Sequence, residues 1–88
     1  MDPASLAAAL ARLPGWTRVG HAIVRTYSFA DFRAALAFVN RVGELAEGQN
    51  HHPDIAINYN EVRLTLWSHD AGGVTERDFR LAAAIDAD

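Results

Sequence analysis

The feature that most constrains this chain is a stretch of period-two alternation interrupted by a two-residue turn. Ile55 and Ile57 alternate with Ala56 and Asn58, Tyr59-Asn60 breaks the run, and Val62, Leu64 and Leu66 then alternate with Arg63, Thr65 and Trp67. Successive strand side chains point to opposite faces. The pattern therefore predicts a hairpin over 54–69, with one face on a core and the other differently occupied.

The flanking segments carry other periods. Phe32, Leu36, Val39, Val42 and Ala46 recur at spacings of three and four, which predicts a helix over 31–47 with one apolar stripe. Asp31 suits the positive end of that helix, Ser28 can cap it, and Gly48 is a natural stop. Residues 2–12 are rich in alanine, the best helix former, and place Leu6, Leu10 and Leu13 on one side; Pro14-Gly15 ends that helix. Over 16–28, Trp16 and Val19 suggest a first strand and Gly20 a turn. Ala22, Ile23, Val24, Thr26 and Tyr27 suggest a second strand, in which Arg25 alternates so that one face can be solvated. Residues 75–86 read as a last helix, opened by Thr75 and Asp78 in a near relative of the capping box. Phe79, Leu81, Ala82 and Ile85 form its buried side, and Gly72-Gly73 makes a flexible joint before it.

The element order is thus α-β-β-α-β-β-α. Strands paired through short turns imply an α+β fold, a four-stranded antiparallel sheet with three helices on one face. With 88 residues, the expectation is a single domain over 1–88. So small a core favours self-association as a way to bury more apolar surface.

Composition narrows the function classes. Net charge is −3, all eight basic residues are arginine, and no basic stripe stands out, so no nucleic-acid partner is expected. There is no cysteine, which removes disulfides, thiolate nucleophiles and thiolate metal ligands. No apolar run approaches the roughly 20 residues that span a bilayer, and Asp2 and Pro3 argue against a signal peptide. The expectation is a cytoplasmic protein with no membrane partner.

The residues best suited to chemistry are imidazoles. His51-His52-Pro53 follows the main helix, and His69 follows the fourth strand just before Asp70-Ala71-Gly72-Gly73. Imidazole titrates near neutrality and can take or give a proton. Glu47, four residues before His51, shares its face if the helix continues that far, and can then orient the ring. Taken alone, the His-His pair reads first as a polar loop, and Glu47, His51, His52 and His69 together could hold a divalent metal, although no established ligand spacing is present. Asp78 is explained by its helix start alone. His21, in a strand turn, reads as a surface residue, and Tyr59 and Trp67 as packed strand aromatics.

Two separated blocks carry a resemblance. Glu47-Gly48-Gln49-Asn50-His51-His52-Pro53-Asp54, then Tyr59-Asn60 and Val62 through Leu66, then His69-Asp70-Ala71-Gly72-Gly73-Val74-Thr75-Glu76-Arg77-Asp78 resemble the signature of the pterin-4a-carbinolamine dehydratases. The resemblance implies a hydro-lyase that eliminates water from a 4a-hydroxytetrahydropterin to give quinonoid dihydropterin, in tetrahydrobiopterin-type cofactor recycling. It implies that His51, His52 and His69 line the site, with His51 and His69 transferring protons and His52 binding the pterin. Glu47 and Asp78 would be the orienting carboxylates. No metal and no organic cofactor are implied. Ile55-Ala56-Ile57 stands where many relatives carry an aromatic residue, so an aromatic wall for the pterin would come from Trp67 or Tyr59. Asn50 stands where an acidic residue is often found. The family also implies a homo-oligomer, dimer or tetramer. The alternative it leaves open is a non-catalytic relative that binds a protein partner as a transcriptional coactivator.

Overall fold

A computed structural model describes residues 1–87. The elements are helix α1 (Pro3–Leu10), strands β1 (Thr17–Val19) and β2 (Ala22–Ser28), helix α2 (Phe32–Gln49), strands β3 (Asp54–Asn58) and β4 (Glu61–Leu66), a 3-10 turn at His69–Ala71, and helix α3 (Glu76–Ala87). The predicted α+β order is the observed one.

The strands form one antiparallel sheet in the order β1-β2-β4-β3. β2 and β4 pair centrally, from Ile23 opposite Leu66 to Ser28 opposite Glu61. β3 pairs only with β4 and is an edge strand. Alternation sends Val62, Leu64 and Leu66 to the helical side, where each is fully buried. One core cluster joins them to Leu6 and Leu13 of the N-terminal segment, to Ala35, Phe38, Val42 and Ala46 of α2, and to Leu81, Ala82 and Ile85 of α3. Burial of each large aliphatic side chain contributes about 1.5–3 kcal/mol, which makes this cluster the main source of stability.

Several local expectations change. In α2 the buried row is Ala35, Phe38, Val42 and Ala46, while Phe32 and Leu36 stay 46% and 42% exposed. The helix carries two apolar rows, and it docks on the one whose small residues at 35 and 46 allow a close approach to the sheet. Ile55 and Ile57 lie on the helical side of β3 but beyond its cover, 39% and 38% exposed. Asp31, not Ser28, caps α2, its carboxylate accepting from the Ala34 amide at 2.9 Å, because Ser28 is still paired in β2. Gly48 does not stop the helix; α2 runs to Gln49, and Asn50 takes the left-handed conformation.

Arg25 lies on the helical face of the sheet and is only partly exposed. Pairing with Leu64 puts it on the helical side, where its guanidinium donates to Asp86 of α3 at 3.0 Å and to the Pro14 carbonyl at 2.9 Å. Asp86 also accepts from the Trp16 indole at 2.9 Å and the Tyr27 phenol at 2.6 Å, so one carboxylate ties the end of α3 to the sheet. Gly15 turns there with φ +93°, and a Cβ on it would come within 2.8 Å of the Arg25 guanidinium.

Candidate functional site

The end of α2, the end of β4 and the start of α3 converge at one end of the molecule. Asn50 is the reason α2 stops where it does. Its amide bonds the Glu47 carbonyl at 3.2 Å, and the His51 amide bonds the Ala46 carbonyl at 3.0 Å. This is the closing pair of a left-handed helix cap, with asparagine where glycine is usual. The reversal brings His51 back under α2, and Pro53 keeps the following chain extended into β3.

His51 and His52 then separate. His51 Nε2 lies 2.5 Å from Oδ1 of Asp78, in the first turn of α3. Asp78 is fully buried, and its other oxygen accepts from the Ser68 hydroxyl and the Thr75 amide, both at 2.9 Å. A buried carboxylate needs such partners to offset its lost hydration. The capping relationship expected at the start of α3 is therefore present, and the same side chain also holds an imidazole. His52 Nε2 pairs instead with Glu47 at the exposed end of α2. Glu47 was expected to orient His51; it meets His52, because the cap at Asn50 turns His51 away from the helix face.

Beyond β4 the alternation persists for three residues. Ser68 points inward to Asp78, while Trp67 and His69 point outward on either side of it in sequence. Their rings stack, with centroids 3.8 Å apart and planes at 25°. A cavity of about 380 Å³ is lined by Asn50, His51, His52, Trp67, His69 and Asp70. The fold thus brings all three expected histidines to one cavity, with Glu47 and Asp78 each against one ring.

Tyr59 is not among them. It occupies the β3–β4 turn, 63% exposed with φ +52°. Trp67 lies beyond the opposite end of β4, roughly 20 Å away at about 3.3 Å per residue. A hairpin turn and the free end of the same strand cannot share a small cavity within one chain.

Asp70 on the cavity wall is not among the residues the sequence singles out for the site, and Asn50, noted there only as a departure from the family pattern, lines the same wall. Asp70 pairs with Arg77 at 2.6 Å, and that guanidinium holds its carboxyl below the ordinary 3.8. Ser68, which bonds the Thr75 hydroxyl at 2.7 Å behind Asp78, is likewise not singled out by the sequence, and Thr75 is read there only as the start of the last helix. The available signal was the strand period: carried past Leu66, it places Ser68 on the buried side. Among the described residues, no three His, Asp or Glu side chains gather as a metal-binding set, and no helix is long and apolar enough to cross a membrane.

Comparison with known proteins gives a consistent result. The family model described as pterin 4 alpha carbinolamine dehydratase matches residues 1–87. A protein of Thermomicrobium roseum is 60% identical over 85 residues, 97% of this chain and 91% of its own length. One of Chloroflexus aurantiacus is 56% identical over 86 residues, 98% of this chain and 92% of its own. Both carry the name pterin-4-alpha-carbinolamine dehydratase provisionally. A crystal structure from Brucella melitensis, described as a transcriptional coactivator/pterin dehydratase, superposes with a TM-score of 0.95 at 36% identity, over 99% of this chain and 95% of that one.

Proposed function

The chain belongs to the pterin 4 alpha carbinolamine dehydratase family, and on that premise we propose that it eliminates water from a 4a-hydroxytetrahydropterin to give the quinonoid dihydropterin. The observation that carries the reading is the single cavity lined by His51, His52 and His69, with His51 backed by the buried carboxylate of Asp78.

The elimination needs three events. The N5–H proton leaves, its electron pair becomes the N5=C4a double bond, and the C4a–O bond breaks as the hydroxyl gains a proton and departs as water. We assign the first proton to His51. Asp78 occupies its Nε2, which leaves Nδ1 for the substrate and places a carboxylate beside the imidazolium that forms. We assign proton delivery to His69, which is exposed and borders the same cavity. His52, steadied by Glu47, binds the pterin, and Trp67 borders the cavity. General acid/base assistance of this kind contributes about 10²–10⁴-fold. Cofactor recycling in the cytosol is the role such a reaction implies.

The test is stopped-flow dehydration of enzymatically generated carbinolamine. The expected result is a rate above the buffer reaction that falls at least about tenfold in His51→Ala and in His69→Ala. A wild-type rate no faster than buffer rejects the reaction, and full activity in both variants rejects the assignment.

A homo-oligomer is part of the same proposal. Among the described residues the outer edge of β3 has no strand partner, and Ile55 and Ile57 on β3, like Phe32 and Leu36 on α2, are exposed. A second copy adding to that edge would complete the hydrogen bonding and cover the apolar side chains. The second reading, a protein-binding module, is favoured by the coactivator half of the description of the Brucella structure. An inactive wild type that still folds and self-associates would support it.

A further inference from the structure

The scheme above makes no use of His21, and it leaves His69 without a partner that orients it. His51 and His52 each give one nitrogen to a carboxylate. Among the described residues, no hydrogen bond or ion pair reaches the His69 ring. What lies against it is the indole of Trp67, stacked at 3.8 Å and 25°. That indole is itself met by His21, with centroids 4.5 Å apart at 62°, an edge-to-face contact. The β2–β4 register, which sets Ile23 opposite Leu66, brings the β1–β2 turn alongside Trp67.

The rings therefore form a column in the order His21, Trp67, His69. His21 does not line the histidine cavity. It lines a second one, of about 260 Å³, with Leu6, Arg18 and the Ala71–Thr75 segment. The indole touches both rings, so Trp67 is the contact through which His21 reaches His69. The face of Trp67 that carries His69 is also closed to a stacked pterin.

Stacking orients a ring differently from a carboxylate. It fixes the ring plane while leaving both nitrogens open. A residue that gives a proton to the departing hydroxyl must recover one from solvent, and with two open nitrogens one can face the substrate while the other faces water. We propose that Trp67 and His21 are positioning residues for His69: the indole sets the plane of the imidazole by stacking, and His21 braces the indole from its other side. The kinetic consequence rests on the dehydratase reading, whereas the ring column does not.

The test combines imidazole NMR with stopped-flow dehydration on wild type and on Trp67→Leu, Trp67→Phe, His21→Ala and His21→Phe. In the wild type the His69 ring protons should resonate upfield, under the indole ring current, and Trp67→Leu should abolish that shift. Trp67→Leu should lower kcat at least about tenfold with KM within about twofold, and Trp67→Phe should restore most of the loss. His21→Ala should shrink the ring-current shift and lower kcat about threefold, with rescue by His21→Phe. His69 resonances unmoved by Trp67→Leu, or by His21→Ala, would overturn the proposal. So would a Trp67→Leu variant that raises KM and spares kcat, which would make Trp67 a substrate platform. A wild type without dehydratase activity would reject the reaction, and the NMR comparison would still decide the column.

Discussion

His51 and Asp78 lie 27 residues apart in sequence, and their side chains meet at 2.5 Å. The contact joins the cap of α2 to the first turn of α3. The same carboxylate also accepts from Ser68 and Thr75, so Asp78 has a structural part beside the one the proposed reaction gives it.

Two substitutions should separate these roles. Asp78→Asn keeps the size and one acceptor but removes the charge beside His51, and should lower the dehydration rate at least about tenfold while the protein stays folded. Asp78→Ala leaves the His51 ring and the Thr75 amide without their acceptor and opens space in the core, and should cost about 3–5 kcal/mol in urea denaturation. An Asp78→Asn rate equal to wild type would remove the carboxylate from the chemistry.

The Glu47–His52 pair is solvent-exposed, with side chains 76% and 57% accessible. Such pairs contribute about 0–1 kcal/mol. Glu47→Gln should therefore leave the melting temperature within a degree or two, and raise KM a few-fold if His52 binds substrate. Tyr59→Ala serves as the comparison, and both its KM and its kcat should match wild type.

Tyr27 supplies a pH signature. Burial first, and then its bond to the Asp86 carboxylate, push its phenol well above the ordinary 10.0. A group that holds its proton more tightly when folded contributes stability that is complete below the unfolded value and lost as the pH rises toward the folded one. Thermal stability should therefore decline above about pH 10. Tyr27→Phe, which lacks the ionising group, should show a shallower decline in calorimetric scans, and equal slopes would contradict the account.

Ile57 tests self-association. It is 38% exposed on the unpaired edge strand. Ile57→Lys places a charge where a second copy would add, and should shift the protein toward monomer in light scattering while leaving the monomer folded, since edge charges block strand addition. A wild type that is monomeric at all concentrations would reject the assembly.

Much of this architecture is written in local periods. Alternation at 55–66, the three-four spacing in the helices and the turn residues suffice for α-β-β-α-β-β-α, because each depends only on which neighbours share a face. The motif residues were legible in the same way, as residue types in a familiar order. Partner choice was not. Asn50, by adopting a left-handed cap, moved His51 from Glu47 to Asp78, and the docking of α2 selected Ala35 and Phe38 over Phe32 and Leu36 for the core.

The elements, their order and the candidate histidines are thus legible in the chain alone, since these follow from short-range sterics and residue type. Only the tertiary structure decided which carboxylate meets which imidazole, that Arg25 turns inward to Asp86, that Tyr59 stands away from the cavity, and that Trp67 lies between His21 and His69. Those contacts depend on the rigid placement of whole elements against one core, where a rotation of one helix or a single left-handed residue redirects every side chain beyond it.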